Sequence, residues 1–229
     1  MIKIIDSIHD DKSIWLLSDG FCLIERTPFL RYERHSYSCV ADMLEKVNAF
    51  FTDGIGTSER LAVIVANDVP AIVPRQMAEQ CDLAKILAVQ CDSAKIAATF
   101  DAAVEDYHFV YYINEREKNV LALLPGEKKY FPLCQVIYEY IQKNQHPENL
   151  LFLSVVSGHL DMLLLKDNHL SLVNRYAWSQ SEDVLYALLN VKKQYQLPEN
   201  LTLWLRISDE FFSVKNLLGK YIADIVYVE

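Results

Sequence analysis

A histidine and an aspartate two residues apart on a strand point to one face, where they could share a metal ion or pass a proton. His159 and Asp161 are such a pair, next to the Ser157-Gly158 turn. No third ligand stands at metal-binding spacing, so a hydrogen-bonded polar pair at a strand end is the expectation. Asp6, His9, Asp10 and Asp11 form an acidic N-terminal cluster, expected to be solvated surface. Gly54-x-Gly56 follows a helical pattern and precedes a strand. A phosphate-cradling loop needs the opposite order, because the anion rests on the amides of the following helix. Cys81 and Cys91 sit on one apolar helical stripe more than two turns apart, which suits packing better than metal binding. No G-x-S-x-G or H-E-x-x-H pattern occurs, and no serine or cysteine has a catalytic context. The 13 tyrosines fall in strand and helix patterns, as packing rings with their hydroxyls at the rim.

Composition narrows the classes further. The chain has 229 residues, 52% apolar and 23% charged, with few Gly and Pro, as an ordered globular protein does. Its net charge of −9, from 31 acidic and 22 basic residues, argues against nucleic-acid binding, which relies on Lys and Arg to neutralise phosphates. The five cysteines are odd in number and widely spaced, with no C-x-x-C. That points to free thiols in a reducing compartment. The N-terminus lacks the apolar run of a signal peptide. No stretch has the ~20 uninterrupted apolar residues of a membrane span, so a cytoplasmic protein without a membrane span is expected.

The elements follow from periodicity. Ser13–Ser18 and Gly20–Glu25 read as a hairpin about Asp19-Gly20, and Phe29–Tyr37 as a third strand. Val40, Met43, Leu44, Val47, Phe50 and Phe51 recur at helical spacing, with Ser38 as N-cap and Asp53-Gly54 as the stop. Leu61–Ala66 is a buried-type strand. A helix is expected from Pro74, its inner stripe formed by Met77, Cys81, Ala84, Ala88 and Cys91. Residues 94–106 fit either helix or strand. Phe109–Ile113 and Val120–Leu124 read as strands, Leu124–Glu127 as a type II turn, and Leu133–Ile141 as a helix. Leu150–Val156 and His159–Leu165 form a second hairpin, and Leu170–Trp178 a third strand. Ser179-x-x-Glu182 then reads as a capping box opening a helix. Leu201–Leu205 is a strand, Ser208 caps a short helix closed by Gly219, and Tyr221–Val228 is the last strand. The order is βββαβαβ, predicting a five-stranded mixed sheet ordered 3-2-1-4-5.

The two halves repeat. Arg34 and Arg175, Ser38 and Ser179, Asp42 and Asp183, and Leu44 and Leu185 are each offset by 141 (175 − 34), and Gly20 and Gly158 by 138 (158 − 20). Three extra residues in the second hairpin would reconcile the offsets. The expected fold class is α/β with two tandem units, residues 1–146 with an irregular second part and residues 147–229.

The βββαβαβ order resembles the ribonuclease H-like unit. Two in tandem resemble the actin-like ATPase superfamily, which includes sugar kinases, heat-shock chaperones and bacterial pilus and division scaffolds. Ser13-Ile-Trp-Leu-Leu-Ser-Asp-Gly-Phe21 is similar to the opening of an uncharacterised bacterial family with this fold. Leu172-Val-Asn-Arg-Tyr176 followed by Glu182-Asp-x-Leu-Tyr186 is similar to its second hallmark.

The resemblance implies a nucleotide held between the halves at their first two turns, with an Asp two residues before each turn glycine to order Mg²⁺. Ser18 and Val156 occupy those positions, Phe21-Cys22-Leu23 and His159-Leu160-Asp161 replace the phosphate-gripping tails, and no Gly-Gly pair can admit an adenosine ring. A ribonuclease H-type nuclease would need a carboxylate within the first strand, and neither first strand has one. The expected function is therefore a non-catalytic actin-like interaction or scaffold protein, a pseudo-ATPase without cofactor or metal, whose partner is another protein. The alternative is a small-molecule or nucleotide-binding protein whose inter-lobe cleft is lined by Ser18, Asp19, Gly20, Ser157, Gly158 and His159.

Overall fold

The computed structural model describes residues 12–26, 31–36, 40–51, 56 and 60–228. The expectations for Asp6, His9–Asp11, Ser38, Cys39 and Asp53-Gly54 lie outside the described residues. The chain divides into two compact units that part between Val136 and Ile137.

In the first unit, β1 (Lys12–Leu17), β2 (Gly20–Glu25) and β3 (Arg31–Ser36) form an antiparallel meander. β4 (Arg60–Ala66) runs parallel to β1, and β8 (Glu127–Pro132) parallel to β4. The sheet order is β3-β2-β1-β4-β8. The apolar runs of β1 and β4 reflect their central places, because inner strands covered on both faces cannot alternate with polar residues. One face of this sheet packs on α1 (Val40–Phe50) through Met43, Val47, Phe50 and Phe51, and on α4 (Glu115–Leu123) through Val120 and Leu121.

Between β4 and α4 the chain inserts a smaller layer. β5 (Ala71–Pro74), β7 (Tyr107–Ile113) and β6 (Ala98–Val104) make an antiparallel sheet ordered β5-β7-β6. Of the ambiguous residues 94–106, Ala98–Val104 are strand, preceded by a 3-10 turn at Ser93–Lys95. Two short helices, α2 (Arg75–Ala78) and α3 (Leu83–Gln90), replace the expected single helix. Asp82 is the cause: its carboxylate accepts from the Ala84 amide at 3.0 Å and starts a new helix. That resets the phase, so Leu83, Ile86 and Leu87 face the sheet. Met77, Cys81, Ala84 and Ala88 of the expected inner stripe stand exposed.

Two further expectations are corrected in this unit. Val120–Leu124 is not a strand, because Asn114-x-x-Glu117 is a capping box. The Glu117 amide donates to Asn114 Oδ1 and the Asn114 amide to Glu117 Oε2, both at 2.9 Å, which opens α4. Glu127–Pro132 is strand β8, masked in sequence by three charged residues. An outer strand tolerates them because one side of its ladder needs no partner strand. Gly126, with φ of 84°, supplies the positive angle expected of the preceding turn.

The second unit repeats the first without the insertion. β9 (Leu150–Val156), β10 (His159–Lys166) and β11 (His169–Ala177) form the meander, followed by α6 (Ser181–Gln194), β12 (Thr202–Ile207), α7 (Phe212–Tyr221) and β13 (Ile225–Tyr227). α5 (Leu133–Lys143) leads into it. The sheet order β11-β10-β9-β12-β13, with β9, β12 and β13 parallel, is the predicted 3-2-1-4-5. One face packs on α6 and α7 through Leu151, Leu153, Met162, Val184, Leu188, Val214 and Leu218. α7 runs two residues past Gly219, and the last strand starts at Ile225 instead of Tyr221.

The cap of α6 lies one residue later than expected. The Asp183 carboxylate, not Glu182, accepts from the amides of Ser179 and Gln180 and from the Ser179 hydroxyl, at 2.9 to 3.0 Å. The Ser179 and Gln180 backbone bonds, then the hydroxyl, hold Asp183 below its ordinary carboxyl value. A depressed folded-state value stabilises the fold above the unfolded-state value and loses that effect as pH falls through the folded one. Asp183→Ala should therefore lower stability at neutral pH, and its deficit should shrink on acidification below about pH 4. Urea melts of both proteins from pH 7 to pH 3 measure the gap; a gap that widens on acidification contradicts this assignment.

Candidate functional site

Both hairpin turns sit where the parallel strands of their sheets end, the edge at which open α/β sheets commonly bind ligands. In the first unit Leu16 pairs with Phe21 and leaves Ser18-Asp19 as the turn. Both residues are exposed. The Asp19 carboxylate takes both of its contacts from Nη2 of Arg34, at 2.9 and 3.2 Å. Gly20 is buried against β3, and a Cβ there would collide with the His35 carbonyl.

In the second unit Val156 pairs with His159 and leaves Ser157-Gly158 as the turn. Trp178 brackets it, its indole N–H donating to the Val156 carbonyl at 2.8 Å and its amide to the Gly158 carbonyl at 3.2 Å. Gly158 has φ of 79° with open space where a side chain would project. Gly158→Ala should thus cost about 1 kcal/mol, the conformational penalty alone. Gly20→Ala should cost more, up to about 3 kcal/mol, because backbone must move. Thermal melts of the two variants test the ranking, and equal losses would contradict it.

Strand register corrects the alignment of the two turns. Trp15 pairs with Cys22, Cys22 with Arg34 and Trp15 with Ile64. Ser154 pairs with Asp161, Asp161 with Arg175 and Ser154 with Arg206. Matching Arg34 to Arg175 makes Ser18 equivalent to Ser157 and Gly20 to His159, an offset of 139 (157 − 18). Gly20 and Gly158 are not counterparts, and the second hairpin region gains two residues, not three. Either alignment leaves both expected metal-ordering positions without a carboxylate, since they become Leu17 and Val156 or Ser18 and Ser157.

His159 and Asp161 share a face as expected, with His159 Nε2 4.0 Å from Asp161 Oδ2. The carboxylate is engaged by a residue not counted among the candidates. Arg175 grips it through Nε at 2.6 Å and Nη2 at 3.2 Å, the two-point geometry that favours Arg. Beside it, Arg206 Nη1 donates to Ser154 Oγ at 3.3 Å. Among the described residues, no group of three or more His, Cys, Asp or Glu side chains could hold a metal ion.

A second polar knot stands at the end of β4, beside the first turn's strand, since Leu17 pairs with Ala66. Asn67 Nδ2 donates to Glu117 Oε2 at 3.1 Å, and the Tyr112 hydroxyl to Asp68 Oδ2 at 3.1 Å. Burial, reinforced by the Asp68 carboxylate, pushes the Tyr112 phenol far above its ordinary value. These residues lay outside the sequence candidates. An Asn-Asp step directly after a buried parallel strand was the available signal.

Two mixed sheets of identical strand order, each begun by a three-strand meander, define this protein as one with the actin-like ATPase fold. Similar solved structures agree. A Bacteroides thetaiotaomicron protein with an actin-like ATPase fold and unknown function matches at TM-score 0.78 and 20% identity, over 100% of this chain and 94% of that one. The PilM–PilN type IV pilus biogenesis complex matches at 0.60 and 10%, over 96% and 88%. The ethanolamine utilization protein EutJ from Carboxydothermus hydrogenoformans matches at 0.53 and 7%, over 95% and 84%. By sequence, the chain belongs to the family described as "Protein of unknown function (DUF3822)", whose model matches residues 31–225. Comparison with curated proteins gave no match. No helix among the described residues is long and apolar enough to cross a membrane.

Proposed function

We propose that this chain is a non-catalytic actin-like interaction module, with residues 1–146 and 147–229 as its two lobes and another protein as its partner. The observation that carries this reading is the state of the two turns. Neither places a carboxylate at the metal-ordering position, and the acids nearest to them, Asp19 and Asp161, are both engaged by arginines. Phosphoryl transfer depends on such a carboxylate to position Mg²⁺ and water, so its loss from both turns removes the central requirement of the chemistry. Kinship in fold with the PilM–PilN complex, and at TM-score 0.50 with the cytoplasmic domain of EpsL, an inner membrane component of the Vibrio cholerae type II secretion system, is consistent with work done by assembly.

Thermal denaturation with and without Mg·ATP tests the first half of this reading. A ligand at 100 times its Kd would add about 2.7 kcal/mol, and no saturable stabilisation is expected. A saturable rise that disappears in Ser157→Trp would overturn the non-catalytic reading in its ligand-free form. For the second half, reciprocal co-purification from the native host should recover one stoichiometric protein partner. A chain that elutes alone at native concentration from both directions speaks against it.

A further inference from the structure

We propose that the outer face of α6 is a self-association surface, and that its occupant is the same face of a second copy of this chain, laid antiparallel. Glu182, Tyr186, Leu189 and Lys193 follow one another at spacings of four, three and four residues (186 − 182, 189 − 186 and 193 − 189). That spacing sets them in one stripe within about 60° of arc around the helix. The core side of α6 is taken by Val184, Leu185, Ala187, Leu188 and Val191, so the stripe points away from the sheet. All four of its residues are exposed, Tyr186 by 74% and Leu189 by 40%. Neither the Glu182 carboxylate nor the Lys193 ammonium has a partner among the described residues.

The first lobe shows that the fold asks for no apolar stripe here. The offset of 141 that equates Asp42 with Asp183 (183 − 42) also matches the buried Met43, Val47 and Phe50 of α1 to the buried Val184, Leu188 and Val191 of α6. The same offset puts Glu45 at the place of Tyr186 and Asn48 at that of Leu189. Both are exposed, and polar residues are what a solvated helix face carries. A helix dipole favours an acid in the first turn and a base in the last. α6 has both, whereas α1 has no base in its last turn. The dipole accounts for Glu182 and Lys193 singly. It does not account for two apolar side chains set between them and turned to water.

Charge order along the stripe names the occupant. Two copies related by a two-fold axis set residue i against j and j against i. With the axis midway between Ala187 and Leu188, Tyr186 and Leu189 are equidistant from it along the helix, and so are Glu182 and Lys193. Tyr186 of each copy then meets Leu189 of the other, and Glu182 meets Lys193. The apolar contacts fall at the centre and the ion pairs at the ends, each made twice. A parallel pairing in register would oppose acid to acid and base to base, which repel. Spacings of four and three are those of a two-helix seam, with axes about 8–10 Å apart. One helix pair is small beside the ~1,600 Å² of a standard interface, so a weak, micromolar dimer is expected. This surface goes beyond the interaction reading above and stands with or without a protein partner of another kind.

Sedimentation velocity of the full chain from about 5 to about 500 μM should show a reversible monomer–dimer equilibrium, weakened as salt is raised. Tyr186→Glu with Leu189→Asn, which copies the first lobe, should weaken dimerisation at least about tenfold. The melting temperature of the monomer should stay unchanged, since both side chains are exposed. Glu182→Lys and Lys193→Glu should each weaken the dimer about fivefold, because either reversal creates two like-charge pairs. The two reversals together should bring it back to within about twofold of wild type, since both ion pairs are then remade with their signs exchanged. A chain that stays monomeric throughout this range overturns the proposal. So does a dimer untouched by the Tyr186 and Leu189 substitutions, or a double reversal no tighter than the single ones, which would place the contact elsewhere or in another orientation. A monomeric chain from which those substitutions strip a different co-purifying protein assigns the stripe to that protein, and overturns it as well.

Discussion

Glu117→Ala should destabilise the protein by about 3 kcal/mol. The carboxylate is buried to within 1% of full exclusion and accepts from the Asn114 amide and the Asn67 side chain. Its removal strips the capping box of α4 and takes an acceptor from the half-buried Asn114 amide and from the Asn67 side chain, which keeps the Tyr112 carbonyl at 3.3 Å. Each such loss costs roughly 1–3 kcal/mol, more where a charged partner is involved. Glu117→Gln keeps an acceptor and should lose about half as much. Urea denaturation measures both, and hydrogen exchange at residues 114–118 should show the opening of the first turn of α4. A loss below about 1 kcal/mol in Glu117→Ala would show that the knot is not a fixed joint.

Phe152→Ala should cost about 4 kcal/mol, the upper range for emptying a large aromatic site. Phe152 is fully buried at the centre of β9, with Leu163 and Trp204 as its cross-strand neighbours. Interior strands of a sheet cannot relax into the space, so the cavity persists. Phe212→Ala, at a residue 65% exposed on α7, should stay within about 0.5 kcal/mol of wild type. Chemical denaturation of the pair reads the contrast between an inner and an outer phenylalanine. Similar losses in both would refute the placement of β9.

The second lobe was legible almost element by element, because its strands and helices follow one another with clean changes of period and short turns. The first lobe was harder for a physical reason. The layer formed by β5, β6 and β7 interrupts the repeating unit, and its helices carry weak amphipathic signals over eight residues or fewer. There the capping residues were the stronger signal. Asp82 and the Asn114-Glu117 box set the starts of α3 and α4 more firmly than the apolar spacing that suggested otherwise. The turns were found from Asp19-Gly20 and Ser157-Gly158. The polar row behind the second turn was not, since its members are 7, 14 and 31 residues apart (161 − 154, 175 − 161 and 206 − 175) and only strand pairing gathers them.

The interruption of the first unit also bears on how each sheet is closed. Leu203 meets Ile225 across 22 residues (225 − 203), whereas Arg60 meets Glu127 across 67 (127 − 60). The entropy of loop closure grows as the logarithm of that span, which makes the longer closure costlier by about 1 kcal/mol. During synthesis from the N-terminus, the outer edge of β4 stands bare until the chain has been extended through the whole insertion. Such an edge is a template for wrong pairing. The inserted layer, whose own strands pair locally, is therefore the part that can fold early and shorten the effective path from β4 to β8 before the first sheet is sealed.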